Sequence, residues 1–300
     1  MRAQARGRDS HLRRVVGEDH RSDEGSSGFS LTLDYRPSAA LNPRWGHGKP
    51  SHAVLSELIA RHDDAYRVQL ERTSAFAREL RAIERSASDP REPSWINGFL
   101  PGLDGASLYT LTRERAPGRY LEVGSGNSTK FVARAKRDGA LDTAIVSIDP
   151  HPRAEIDGLC DAIIRQPLET AGADAFRDLA AGDIVFFDGS HRTFTASDAT
   201  VFFLELLPEL PPGTIIGIHD IFLPDDYPPE WTDRYYSEQY LLAAYLLAGC
   251  SWLEPLLAAW YVSSHPQLQR HLARLWDDPR FVGVERHGCA FWVEVKKKRG

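Results

Sequence analysis

The sequence predicts an α/β protein: a doubly wound, Rossmann-like parallel sheet preceded by an N-terminal helical extension. Three observations carry that expectation. From Arg119 onward, short apolar runs alternate with amphipathic segments, the pattern of successive strand and helix units. Two of the runs, DIVFFD and GTIIGIHD, are apolar at consecutive positions rather than at every second one, as strands buried on both faces must be. A glycine turn, GSGNS, follows the first run directly, at the edge where such a sheet opens towards a ligand.

Residues 1–28 contain no apolar core of a signal peptide, and Arg13-Arg14 is followed by no hydrophobic stretch. They are expected to be a disordered tail or the product of an upstream start codon. Residues 29–105 are expected to form a helical cap and a lid loop. Between Ser51 and Glu84 there is no proline or glycine, and Leu55, Leu58 and Ile59, then Phe76, Leu80 and Ile83, recur at helical spacing. That spacing predicts one long helix or two joined end to end. Residues 86–105 form a loop punctuated by proline and glycine and carrying Trp95, Phe99 and Leu100.

The third unit, residues 106–300, opens with a helix that stops at Pro117 and Gly118. Strands are expected at Arg119–Val123, Ala144–Asp149, Ala162–Arg165, Asp183–Asp188 and Thr214–His219, with helices at Thr129–Arg137, Ala173–Ala180 and Phe194–Leu207. A helix near Ser264–Trp276 and the strand CAFWVEV would add an antiparallel edge.

Bulk composition narrows the function classes. A net charge of −6 and a pI near 6.0 give no electrostatic footprint for nucleic acid, and the short terminal KKKRG reads as solubilising. Three cysteines, Cys160, Cys250 and Cys289, are too few and too scattered for a disulfide framework or a zinc site, which places the chain in a reducing, cytoplasmic setting. No apolar run reaches membrane-spanning length.

The chemistry gathers at the strand ends. Gly124 and Gly126 allow backbone to pass close to a ligand, and Ser128 can cap the helix that follows. A dinucleotide fingerprint would place a third glycine where Thr129 stands. Glu122 before the turn would repel a pyrophosphate, so a ligand with positive charge, such as the ammonium and sulfonium of S-adenosylmethionine, suits it better. Asp149 ends the second strand, where an acid can accept hydrogen bonds from ribose hydroxyls. Asp188 with His191, and His219 with Asp220, end the fourth and fifth strands. As neighbours they should face one another, with Asp188 and Asp220 suited to Mg²⁺ and His191 to general base catalysis. Tyr227 and Trp231 lie in an aromatic, acidic, proline-stiffened loop, and with Trp95 they are candidates to stack on a substrate.

YLEVGSGNSTKF, SIDPHP, GDIVFFDGSH and GTIIGIHDIFLP resemble, in order, the motifs of class I S-adenosylmethionine-dependent methyltransferases, most closely the macrocin O-methyltransferase-like branch and more distantly catechol O-methyltransferases. The resemblance covers the chain from about Trp95 onward. It implies a seven-stranded sheet with the last strand antiparallel. It places Glu122, Gly124, Ser125, Gly126, Asn127 and Ser128 around the methionine part of S-adenosylmethionine, Asp149 on the ribose and Leu168 beside the adenine. Asp188 would border both cofactor and metal. The D-G-x-H motif would supply a metal ligand, Asp188, and a catalytic histidine, His191. At the end of the fifth strand the family usually carries two acidic or amide groups, whereas this chain has His219 before Asp220. Imidazole favours Zn, Fe or Ni over Mg, so His219 is either a third ligand of another divalent metal or a base in a metal-free site.

The expected activity is methylation of a hydroxyl on a small molecule or sugar, with N-methylation as a variant that requires no metal. The sequence leaves the oligomeric state open, a homodimer built on the long N-terminal helices being one option. Two rival classes share the fold: an NAD-dependent oxidoreductase, which lacks its third glycine here, and a non-catalytic methyltransferase-like module, against which the intact Glu122, Gly124, Gly126 and Asp149 argue.

Overall fold

The computed structural model describes residues 42–298. The expected tail at 1–28 and the start of the cap, residues 29–41, lie outside the described residues. Seven strands form one sheet in the order β3-β2-β1-β4-β5-β7-β6: β1 (Arg119–Val123), β2 (Ala144–Ile148), β3 (Ala162–Ile164), β4 (Ile184–Phe187), β5 (Ile215–Ile218), β6 (Leu253–Ala258) and β7 (Phe291–Val295). The first five pair in parallel, while β7 runs antiparallel between β5 and β6. This is the Rossmann-like sheet with its final strand reversed. The five parallel strands fall where the apolar runs place them, trimmed by a residue or two. β6 has no counterpart among the expected strands, because LEPLLA carries a proline and an acid that weaken a strand signal.

Order reverses between β1 and β4, and the carboxyl ends of β1, β2 and β4 therefore frame the crevice where α/β sheets bind ligands. Beside it lies α4 (Gly102–Arg115), buried on all sides from Gly102 to Thr112. Some of its polar groups are satisfied internally: Ser107 accepts from Trp292 Nε1 at 3.1 Å, and Asp104 takes two backbone N–H groups near β7, whereas the hydroxyls of Thr110 and Thr112 are buried without a partner. The helix after β1, α5 (Asn127–Gly139), is amphipathic, burying Phe131, Val132 and Ala135.

Where one long helix or two joined end to end were expected, the chain forms three short ones, α1 (Ala53–Ala60), α2 (Asp63–Ala75) and α3 (Ala77–Arg81). Asp63 and Asp64 favour a new start at α2. Thr73 donates back to Gln69 O at 3.0 Å, a bond that bends helices, just ahead of the break at Phe76. Each piece then turns its own apolar residues inward: Leu55 and Ile59, Tyr66 and Leu70, Ala77 and Leu80. The expected helix at Phe194–Leu207 is likewise shorter. Ser197 caps it by accepting from Thr200 N, so it begins at Asp198, and it passes through a π-helical turn at Phe202–Leu206. No helix among the described residues is long and apolar enough to cross a membrane.

Candidate active site

One cavity of about 780 Å³ opens at the carboxyl ends of β1, β2 and β4, within the range of small-molecule sites. Gly124, Ser125, Gly126, Asn127 and Ser128 line it, with Asp149, Leu168, Asp188 and His191. The loop before α4 supplies the facing wall through Ser94, Ile96, Asn97, Phe99 and Leu100.

The glycine turn is held from beneath. Gly124 has φ +78°, and a Cβ there would stand 1.8 Å from the carbonyl oxygen of Asp188, so only glycine lets the β4 end pass so close. A Cβ on Gly126 would meet no protein atom; its open side belongs to the cavity. Asp149 accepts Ser125 N on one carboxylate oxygen and His151 N on the other, each at 2.8 Å, which fixes its orientation at the cavity wall.

Glu122 occupies a different place from the one expected. It is wholly buried, lies behind the turn and does not line the cavity. Its carboxylate accepts from Tyr120 Oη at 2.9 Å and from Thr129 Oγ1, which in turn accepts Gly126 N at 3.1 Å. Burial pushes Glu122 up to about 7, against the pull of hydrogen bonds from Ser128, Thr129 and Tyr120. It braces the glycine turn from behind.

At the inner end of the cavity the two strand-end pairs do meet. His191 Nε2 lies 3.4 Å from both Asp188 Oδ1 and Asp220 Oδ2. His191 Nδ1 stands 2.6 Å from Glu238 Oε1, at the start of the helix Glu238–Leu247. Glu238 is fully buried, with its other oxygen unpaired. Burial works against the His191 imidazolium, but the carboxylates of Glu238, Asp220 and Asp188 outweigh it and push the group up to about 9. Burial likewise pushes Glu238 up to about 7, with His191 opposing. His191 and Asp220 both have left-handed backbone, φ +63° and +56°. Such conformations are uncommon outside glycine and gather at functional sites.

His219 is turned away from the cavity. Its Nδ1 lies 3.2 Å from Asp188 Oδ1, and its Nε2 faces Asp104 and Cys289 in the interior. Asp188, Asp220 and His191 converge beside the cavity, and His219 Nδ1 approaches the same two acids from the interior, 3.2 Å from Asp188 Oδ1 and 3.4 Å from Asp220 Oδ1. His219 is 2% exposed and lies outside the cavity lining.

The three aromatic substrate candidates also lie off the cavity. Trp95 is clamped among Phe131, Trp276 and Phe281 and donates Nε1 to Leu80 O at 3.2 Å, so it is core. Tyr227 packs on Phe222, Tyr236 and Tyr240, and Trp231 is sandwiched by Phe222 and the Arg234 guanidinium. They form an aromatic bank whose nearest member, Tyr236, has its ring centroid 4.5 Å from that of His191. Apolar surface drew Trp95 and Tyr227 inward and left Trp231 half-buried; the residues exposed at the rim are Ile96 and Phe99.

Sequence reasoning missed Asn97, Asp104, Glu238 and Cys289. Asn97 Oδ1 accepts Phe99 N and Leu100 N, and Nδ2 donates to Ser94 O and Leu100 O; the Asn-Gly pair in WINGF was the available signal of a turn. Asp198 also gains a task, holding Ser190 by its backbone N–H and hydroxyl. Asp104, Glu238 and Cys289 come from segments far apart in sequence, and no spacing marks them.

Residues 121–221 match a family described as a methyltransferase domain. That segment contains the glycine turn, Asp149, Asp188, His191, His219 and Asp220, while Asp104, Glu238 and Cys289 lie outside it. Among solved structures, the chain is similar to the SAH-bound methyltransferase of Podospora anserina, with 17% identity over 84% of this chain and 100% of that one and a TM-score of 0.42. It is also similar to the O-methyltransferase of Bacillus cereus in complex with SAH, with 15% identity over 82% and 99% of the two chains and a TM-score of 0.32. Curated proteins give no match.

Proposed function

We propose that the protein is an S-adenosylmethionine-dependent methyltransferase acting on a hydroxyl of a small molecule or sugar. The observation that carries this reading is the coincidence of the methyltransferase-domain match at 121–221 with the walls of one cavity, where the glycine turn and Asp149 sit beside Asp188 and His191. Asp149, oriented by two backbone N–H groups, would take the ribose; Leu168, which is buried at the wall, would flank the adenine; the open side of Gly126 would admit the methionine portion. The loop at 94–100 would close over the donor. Placement in the macrocin O-methyltransferase-like branch belongs to this proposal and rests on the four ordered sequence motifs.

The donor supplies an electrophilic methyl group. This chain contributes an acid–imidazole end at which an acceptor oxygen can be held and relieved of its proton. Glu238 accepts His191 Nδ1–H and so turns Nε2 towards Asp188, Asp220 and the cavity; the neutral form of His191, whose share grows as pH rises towards 9, takes the acceptor proton at Nε2, and Glu238 stabilises the imidazolium. A second reading is favoured by the two 3.4 Å separations at His191 Nε2, which exceed direct hydrogen bonds and suit three donors sharing one ion. In it Asp188, Asp220 and His191 hold a divalent cation, with Glu238 as the carboxylate behind the histidine ligand. Such a cation supplies Lewis acidity that lowers the pKa of an acceptor hydroxyl.

Calorimetric titration with S-adenosylmethionine, with and without EDTA and with NAD as control, tests the proposal. Micromolar binding is expected, weakened about 10- to 100-fold in Asp149→Ala, as for loss of a charged hydrogen-bond acceptor. No binding under any metal condition, or tighter binding of NAD, overturns the reading. Methylation that survives EDTA favours His191 as the base; methylation abolished by EDTA and restored by a divalent salt favours the cation.

A further inference from the structure

The acid–imidazole cluster continues inward past His219, to residues that the proposed methyl transfer does not use. His219 Nε2 is 3.4 Å from Asp104 Oδ2 and 3.6 Å from Cys289 Sγ, and Cys289 Sγ is 3.4 Å from Asp104 Oδ2. All three side chains are buried. We propose that Asp104, His219 and Cys289 form an interior binding site for a thiophilic divalent metal ion, zinc above all, which adjoins the Asp188, His191 and Asp220 group beside the cavity through Asp220 Oδ1, 3.4 Å from both Cys289 Sγ and His219 Nδ1.

Spacing is the first argument. Zinc binds sulfur at about 2.3 Å and nitrogen or oxygen at about 2.0–2.2 Å, so a tetrahedral shell sets N and O about 3.3 Å apart and S about 3.6 Å from either. The observed triangle has those proportions. As a direct hydrogen bond, the Nε2 to Oδ2 separation is too long.

Orientation is the second. A ligating histidine usually gives its other N–H to a carboxylate, and His219 Nδ1 lies 3.2 Å from Asp188 Oδ1. Asp104 is fixed by Cys289 N on Oδ2 at 2.8 Å and Ala290 N on Oδ1 at 2.9 Å. Gly288 makes room for this: a Cβ there would stand 2.4 Å from Asp104 Oδ1.

Charge is the third. A divalent ion balances the charge of its own ligands, one carboxylate, one thiolate and a neutral imidazole, and it would also offset the buried Asp220 carboxylate 3.4 Å from the sulfur. Thiolate and imidazole together select zinc over magnesium. The ligands come from α4, the end of β5 and the approach to β7, so the ion would tie the buried helix to the reversed part of the sheet; the trio fills three of the four tetrahedral positions and leaves the fourth to a small exogenous ligand. The ion would also keep His219 Nδ1 protonated towards Asp188.

The test is titration of EDTA-stripped, anaerobic full-length protein with Co²⁺, read by absorbance. A thiolate-to-cobalt charge-transfer band with intense tetrahedral d–d bands is expected, and elemental analysis of the protein as purified should find zinc. Cys289→Ser should abolish the charge-transfer band, whereas His191→Gln should leave it. The double variant Cys160→Ser/Cys250→Ser keeps the trio intact and should retain the band, so the test decides even if Cys289→Ser does not fold. Absence of the band in the wild type, its persistence in Cys289→Ser, or its loss in the double variant overturns the proposal. None of these readouts depends on methyl transfer, so the site stands or falls apart from the proposed activity.

Discussion

At the ends of β1 and β2 the cavity wall is made by chain neighbours. Ser125 N reaches Asp149, Gly126 N reaches Thr129, and Thr129 reaches Glu122. Across the same edge, at β4 and β5, the wall is assembled from afar: His191 leans on Glu238, and His219 lies between Asp188 and the interior pair Asp104 and Cys289. The first region is backbone geometry stabilised by one buried acid. The second is a set of charges gathered by the tertiary fold, with two of its members, His191 and Asp220, in left-handed backbone. Binding a cofactor requires the first kind of construction; placing reactive groups requires the second.

The two regions can be broken separately. Gly124→Ala is expected to have the largest effect, because its Cβ would overlap the Asp188 carbonyl at a positive φ. Overpacking plus backbone strain should cost about 3 kcal/mol or more, read as a lowered urea midpoint, and donor binding should be lost. Glu238→Gln should spare the first region and damage the second. We expect kcat to fall about 10- to 100-fold, as for loss of the group that orients a working histidine, with donor affinity within about twofold of wild type. A matching loss of donor affinity would show that the two regions are one unit.

The smallest effect sharpens the role of Glu122. Its carboxyl is held near 7 in the folded protein, against a reference of 4.5. Between those values the folded chain keeps a proton that the unfolded chain has released, so stability falls as pH rises through that window. Glu122→Gln should flatten the fall, measured as urea midpoints from pH 4.5 to 7.5. An unchanged slope would mean that Glu122 titrates in the folded protein as it does in the unfolded chain.

The same contrast explains what could be read from sequence. β1, β4 and β5 announced themselves because strands buried on both faces are apolar throughout, and the glycine turn followed β1 within a few residues. Asp188, His191, His219 and Asp220 were legible because they end those strands. Which nitrogen of His219 faces which acid was not, since that depends on α4 bringing Asp104 to the end of β5. Glu238 sits in EQYLLAAYLL and reads as an ordinary first-turn acid of a helix. Trp95, Tyr227 and Trp231 misled for the opposite reason: aromatic residues in a loop can serve a ligand or the core, and composition does not distinguish the two.

The position of β7 bears on how the molecule is made. Of the seven strands it is the last to leave the ribosome, yet it pairs on both sides, with β5 and with β6. Until Phe291–Val295 emerges, β5 has an open flank and β6 has no neighbour in the sheet. Asp104, on the buried helix α4, waits for the N–H groups of Cys289 and Ala290. The nascent chain therefore carries an uncovered strand edge, a natural place for a chaperone to bind or for two incomplete chains to adhere, until the last strand is in place.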